Sequence, residues 1–349
     1  MTASPRCDDG LGVYRVMPNP SADVATTFSE HLTRFAETAS IPQLSPIIAR
    51  LTRRVGVAVV GRAGVGRDTV AAALRDHGVA VTADTAAADV QVLVIAEALK
   101  PEERAMAATD RPTLIVLNKA DLTGSRSGGA LPNAHRTAAD VQRRTGTPTV
   151  AMVGLLGKTT ALDDDLVDAL RTLVHTAADL RSVDAFTSGD HPVGREIRTR
   201  LLERLDRFGI AHAVLALARG ADPATLPTLL QRLSNVDAVL ARLDASSAPV
   251  RYRRLRAALA EMHSLAVQLD DQALLGLLNS DAAVLATMTA AVDVVEADGI
   301  RVDPGDDPDA HRRRAAQWRR YSRGPVDSLH RRCGADITRG SLRLLDGFW

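Results

Sequence analysis

Val55-Gly-Val-Ala-Val-Val-Gly-Arg-Ala-Gly-Val-Gly-Arg-Asp-Thr69 is the stretch on which the fold turns. A short apolar run ends in glycines, and a helical pattern then runs from 68 to 77 and stops at Gly78. A buried strand leading through glycines into a helix is the setting in which backbone N–H groups wrap a phosphate at a helix N-terminus. Gly61 and Gly66 enclose four residues, with Gly64 among them. Arg67 stands where a phosphate loop carries lysine, and its planar guanidinium is not equivalent to an ammonium. Asp68 stands where a hydroxyl would ligate Mg²⁺, and Thr69 follows one residue later, about 100° further round the helix. On these residues alone, a phosphate site and a plain strand-to-helix turn both remain open.

Working outward, strand-like runs at 79–82, 90–95, 112–117 and 147–153 alternate with helical patterns at 102–108, 134–144 and 163–178. Strict alternation predicts an α/β domain over 55–180, with a mostly parallel sheet covered on both faces. Residues 1–21 are polar and rich in Pro and Gly and read as a tail, and 22–54 read as helices. From 181 to 349 no strand alternation is visible. Helical patterns run over 193–208, 211–218, 224–243, 249–269, 271–296 and 309–323, broken at 189–192, 222–223, 246–249 and 304–308. They predict an α-helical bundle, which the N-terminal helices join.

Composition bounds the function. The chain has 349 residues, 46% apolar and 24% charged, with a net charge of +1. That is ordinary for a soluble protein of two or three domains and excludes whole-chain attraction to a polyanion. Phe, Trp and Tyr are scarce, so stacking platforms for single strands are not expected, and nucleic acid is not an expected partner. Cys7 and Cys333 cannot build a disulfide framework, which fits a reducing, cytoplasmic setting. MTASPRCDDG lacks the basic-then-apolar order of a secretory leader. The nine histidines show no metal-ligand spacing.

The second informative motif is Asn118-Lys-Ala-Asp121, which directly follows the apolar run Pro112-Thr-Leu-Ile-Val-Leu117. A carboxylate at that strand end can accept two hydrogen bonds from the N1–H and N2–H₂ edge of guanine, a pair adenine does not offer. Asn118 can bridge neighbouring loops, and the Lys119 stem can cover the base face. The bland alternative is a polar turn with Asp121 capping a helix. Gly154-Leu-Leu-Gly-Lys-Thr-Thr160 also contains Gly-Lys-Thr after a strand, but only two residues separate its glycines, too few to encircle a phosphate.

The ordered pair GRAGVGRDT and LIVLNKADL resembles P-loop GTPases of the translation-factor-related class. The spacing of the intervening ADVQVLVIAEAL is similar to that of bacterial dynamin-like GTPases. The resemblance covers about residues 54–180 and implies a P-loop nucleotide-binding fold between helical segments. It implies Gly61, Gly64, Gly66, Arg67, Asp68 and Thr69 at the phosphates of GTP or GDP, with Asn118, Lys119 and Asp121 at the guanine. Asp84 would be the carboxylate on the Mg²⁺ side. It further implies self-association, or assembly with an intact dynamin-like GTPase.

The departures bear on turnover. The segment that should hold a switch threonine and an antiparallel strand is missing between Gly78 and Val79, and Ala87 replaces the switch glycine in Asp84-Thr-Ala-Ala87. The lost groups are those that position and stabilise charge in phosphoryl transfer. The expectation is therefore a guanine-nucleotide-binding protein with weak or no hydrolysis, or alternatively a nucleotide-free pseudo-GTPase scaffold. Residues 311–343 carry ten arginines against Asp327 and Asp336. They read either as a peripheral contact with acidic headgroups at the inner face of a membrane or as a solvated helix face paired with the acidic loop at 303–309.

Overall fold

Residues 90–95 and 113–118 are buried along their whole length. Strands covered on both faces read as continuous apolar runs, and these two form the middle of a sheet. The computed structural model describes residues 20–39, 41–124, 129–158 and 162–346. Its elements are α1 (Pro20–Ala39), α2 (Leu44–Thr52), β1 (Val57–Val60), α3 (Arg67–Asp76), β2 (Val81–Thr82), β3 (Val90–Ala96), α4 (Pro101–Ala107), β4 (Thr113–Asn118), α5 (Ala130–Thr145), β5 (Thr149–Ala151), α6 (Asp164–His175) and α7 (Val183–Ser188). There follow α8 (Arg195–Ala218), α9 (Leu226–Ser234), α10 (Val236–Leu269), α11 (Gln272–Leu278), α12 (Asp281–Ala297), α13 (Pro308–Arg323) and α14 (Ser328–Asp346).

The five strands lie in the order β2-β1-β3-β4-β5, and every pair is parallel. Strand alternation sorts the core. Leu93, Ile95, Ile115 and Leu117 face α5, α6, α8 and α9, meeting Ala138, Leu170, Leu201 and Leu230. Val92, Val94, Leu114 and Val116 face the other way, onto Val70 and Leu74 of α3 and Val236 and Val239 of α10. The strand order reverses between β1 and β3. In an open parallel sheet, ligands bind outside the carboxyl ends of the strands at such a point.

The connection from β2 to β3 is only residues 83–89. Parallel strands ordinarily need a crossover of about a dozen residues or more, usually a helix. Here the return path is short because β2 is two residues long. Among the described residues the crossover itself, 83–89, contains no helix. Beside it lies a cleft of about 910 Å³ lined by Gly61, Arg67, Thr82, Thr85, Gln91 and Arg111.

Two compact units emerge. One comprises the sheet and its helices, residues 53–253; the other comprises the chain before 53 and after 253. The sheet unit runs past the boundary expected near 180, because α8, α9 and the start of α10 bury Leu201, Leu230 and Val236 against sheet residues. In the helical unit, Phe28, Leu32, Leu44 and Ile47 pack with Met262, Leu274, Leu278 and Ala286.

Several expected boundaries shift. The pattern expected to break at 246–249 is one helix, α10, with Pro249 inside it. The break expected between 208 and 211 falls at Asp206, where φ +52° and ψ 175° separate two helical stretches of α8. The pattern at 271–296 is two helices, split where the Ser280 side chain caps α12. Residues 328–346, unassigned by pattern, form α14, which buries Cys333, Gly334, Ile337 and Ser341. The tail expected over 1–21 lies outside the described residues, except for Pro20 and Ser21, which open α1.

The arginines at 311–343 are not equivalent. Arg314 is buried and donates to Asp303 O at 2.7 Å and Gly305 O at 2.9 Å. Arg312, Arg313 and Arg343 pair with Asp309, Asp303 and Asp281. Arg319, Arg320 and Arg323 are exposed on α13.

Phe28 is the largest fully buried side chain that α1 gives to its cluster. Phe28→Ala is expected to destabilise the helical unit by about 3–5 kcal/mol, read from the urea unfolding midpoint.

Candidate functional site

The glycine loop leaves β1 at the switch point of the sheet and enters α3 at Arg67. A Cβ on Gly61 would lie 2.5 Å from Val94 O on the neighbouring strand, so the loop can approach β3 only as glycine. Gly66 has φ +82° and caps α3 without any side-chain acceptor, and a Cβ there would collide with Asn118 Nδ2. Backbone N–H groups of the first helical turn therefore have no side-chain cap. Arg62 donates to Glu103 at 2.7 Å; Glu103 is fully buried and also accepts from Lys100 N at 2.8 Å. This pair ties the loop to the first turn of α4.

Asn118 closes the arrangement. It is buried at the end of β4; its Nδ2 donates to Val65 O at 2.9 Å, and its Oδ1 accepts from Gly154 N at 2.9 Å. One carboxamide thus holds the glycine loop and the turn after β5 at fixed spacing from β4. Glycine is needed at 154 as well, because a Cβ would stand 2.8 Å from Asn118 Oδ1. Of the Gly154–Thr160 stretch, Gly154–Gly157 forms a short turn whose glycines serve close packing; Thr159 and Thr160 lie outside the described residues.

Lys119 adopts a left-handed conformation, φ +57°, which turns the chain sharply before the short 3-10 helix Ala120–Leu122. Asp121 is half-buried, and its carboxylate accepts no hydrogen bond from another described residue. Burial holds its carboxyl above the ordinary range, and the nearby charge of Asp206 adds to this. Its own backbone N–H, Lys119 and Arg207 pull the other way. Asp206 and Arg207 belong to α8, which sequence patterns marked only as a helix. No local signal could have placed them here, because the proximity arises from packing of α8 over the 154–157 turn. There Leu156 lies 2.8 Å from the position a Cβ on Gly209 would take.

The residues expected at phosphate and metal are arranged differently. Arg67 pairs with Asp68 at 3.1 Å, both exposed. Thr69 is half-buried one position along the helix. Asp84 lies on the exposed crossover, where its Oδ1 accepts from Ala86 N at 2.8 Å and Ala87 N at 3.2 Å. Arg111 fastens the same loop by donating to Ala86 O at 3.1 Å and to Thr85 O. Among the described residues no three His, Cys, Asp or Glu side chains converge as metal ligands.

Comparison with known proteins finds no matching family model, no matching curated protein and no matching solved structure.

Asn118→Ala removes both bridges and leaves Val65 O and Gly154 N–H buried without partners. It is expected to destabilise the sheet unit by about 1–3 kcal/mol, measured by chemical unfolding. Asp121→Asn is expected to act in the opposite direction in nucleotide-free protein. Because the folded carboxyl binds its proton more tightly than the unfolded one, stability falls as pH rises through the folded value. The neutral amide escapes that penalty. Its Tm should exceed that of the parent at about pH 7, with the gap closing near about pH 4, the ordinary carboxylate value.

Proposed function

We propose that this protein binds a guanine nucleotide between the Gly61–Thr69 loop and the Asn118–Asp121 turn, with weak or no hydrolysis, and that it acts by assembling with a partner. The observation that carries the reading is the Asn118 bridge, which joins three loops at the carboxyl ends of the strands. A turn that served only to end a strand would not need a buried carboxamide satisfied on both sides by two separate glycine-containing segments.

The neighbouring Asp121 supports the same reading. A partly desolvated carboxylate is costly to leave charged, and such perturbed groups cluster at functional sites. The edge of guanine, with N1–H and N2–H₂ donors, would supply the missing hydrogen bonds. Lys119 would lie along the base, and the N–H groups of the glycine loop and first turn of α3 would meet phosphate oxygens.

Turnover is another matter. Phosphoryl transfer depends on positioned cations and dipoles around the transferred group. At this site the only cationic side chain of the loop's second half, Arg67, is held by Asp68. Asp84 is engaged by Ala86 and Ala87. The crossover that would carry a switch helix has none. The chain therefore suits a role in which nucleotide supports an assembly, with itself or with an intact dynamin-like GTPase, rather than one in which it is consumed. The Arg67–Asp68 pair also favours a second reading, a scaffold that holds no nucleotide.

Binding measurements separate the two. Under the first, GDP and GTP bind more tightly than ADP and ATP, with little dependence on Mg²⁺. Asp121→Asn then weakens guanine nucleotide binding by about 1–3 kcal/mol. Equal affinity for adenine and guanine nucleotides, or none for either, overturns it. At saturating GTP, steady-state phosphate release is expected to stay far below ~1 s⁻¹, the lower end for competent phosphoryl-transfer enzymes.

A further inference from the structure

Between α4 and α5, within the sheet unit, lies a cavity of about 540 Å³. The residues along it explain why it is open. The chain leaves β3 through Glu97, whose φ is +66°, and Leu99 then enters the cavity wall. Ala107 and Ala108 line it at the end of α4, and Val141 lines it from α5. Leu99, Ala107 and Val141 also pack with the core cluster beneath, so the floor is apolar. Close packing between two neighbouring helices needs side chains long enough to interdigitate. The alanines at 107 and 108 are too short for that and leave the space unfilled.

The polar groups at this cavity are unevenly committed. Thr137 Oγ1 donates to Asn133 O at 3.0 Å and Thr145 Oγ1 donates to Val141 O at 2.9 Å, so both hydroxyl protons are used within α5. The Asp140 carboxylate accepts from Arg143. Arg104 of α4 and Arg144 of α5 line the cavity and are exposed. Among the described residues neither guanidinium has an ion pair or a hydrogen bond. A guanidinium offers its N–H donors in a planar fork that matches the oxygens of an anionic group. Both arginines stand in the last turns of their helices, where a cation complements the dipole. That role alone would not require them to line one cavity from two helices.

We propose that the cavity between α4 and α5 is a binding site for a small amphipathic anion, an organic acid whose apolar body lies on Leu99, Ala107 and Val141 and whose charged end is held by Arg104 and Arg144. The volume of about 540 Å³ falls within the range of roughly 300–1,000 Å³ usual for small-molecule sites, which combine an apolar lining with a few polar groups that fix orientation. The length of the wall excludes a partner helix. Helix α4 has seven residues, or about 10 Å, which is the length of a small molecule and too short to seat anchors spread over two helical turns. The cavity shares no residue with the Gly61–Thr69 loop or the Asn118–Asp121 turn, so the proposal stands apart from the nucleotide reading.

The experiment uses the full chain and a pair of fluorescent probes, anilinonaphthalene sulfonate and N-phenylnaphthylamine, which share their rings and differ in the sulfonate. Fluorescence titration of the folded protein should give one saturable site for the sulfonate, with the neutral probe bound at least about tenfold more weakly, the loss expected when charge-assisted hydrogen bonds are removed. Raising the salt concentration should weaken the sulfonate and not the neutral probe. Arg104→Gln combined with Arg144→Gln changes two exposed side chains, so the unfolding midpoint should stay near that of the parent. The double variant should bind the sulfonate about tenfold more weakly and the neutral probe as before. Ala108→Phe, which fills the cavity, should weaken both. In the parent, NMR amide shifts on adding the sulfonate should concentrate at residues 98–108 and 137–147. Equal affinity for the two probes, an unchanged sulfonate affinity in the folded double variant, shifts confined to other residues, or no binding of the sulfonate overturns the proposal. Should either variant fail to fold, the probe comparison and the amide map in the parent decide the matter without it.

Discussion

The Asn118 carboxamide is the interaction on which the rest of the site depends. Its Nδ2 donates to Val65 O and its Oδ1 accepts from Gly154 N–H, so it is engaged at both ends. Each partner lies on a different segment, one after β1 and one after β5, so a single side chain sets the spacing of loops that are far apart in sequence. Buried polar networks specify geometry strongly when every member is satisfied. The glycines at 61, 66 and 154 follow from the same constraint, because backbone must approach backbone or carboxamide where a Cβ would intrude.

The sheet explains why the site can exist on so reduced a frame. A parallel sheet needs both faces covered, and here α3 and α10 cover one side while α5, α6, α8 and α9 cover the other. The economy falls on the β2 edge. Two-residue β2 returns to β3 through seven residues without a helix, and the cleft at that crossover replaces a buried face. The Asn118 bridge at the other strand ends does not depend on that crossover.

Helix α8 ties the 154–157 turn to the rest of the sheet unit. Its first half buries Leu201 and Leu205 in the core, its second half buries Ile210 and Ala213, and the bend at Asp206 lets both do so. A straight helix of the same length would carry one of these stripes away from the core. The charge of Asp206 near Asp121 is a consequence of that packing.

The alternation of apolar runs and helical patterns between 55 and 180 determined the parallel sheet, because strands buried on both faces have no polar positions to conceal. The order of Gly61–Thr69 and Asn118–Asp121 along the chain determined where candidate chemistry would lie, since strand ends and helix starts are local features. What tertiary structure alone decided was the company these residues keep. Asn118 reaches Val65 and Gly154 across fifty-three and thirty-six residues of chain. Asp206 comes near Asp121 only because α8 packs over the 154–157 turn. The unit boundary at 253, past the one expected near 180, follows from hydrophobic faces of α8 to α10 whose partners no periodicity names. Periodicity reports that a face is apolar; which surface it meets is settled by the long-range packing that buries the most of it.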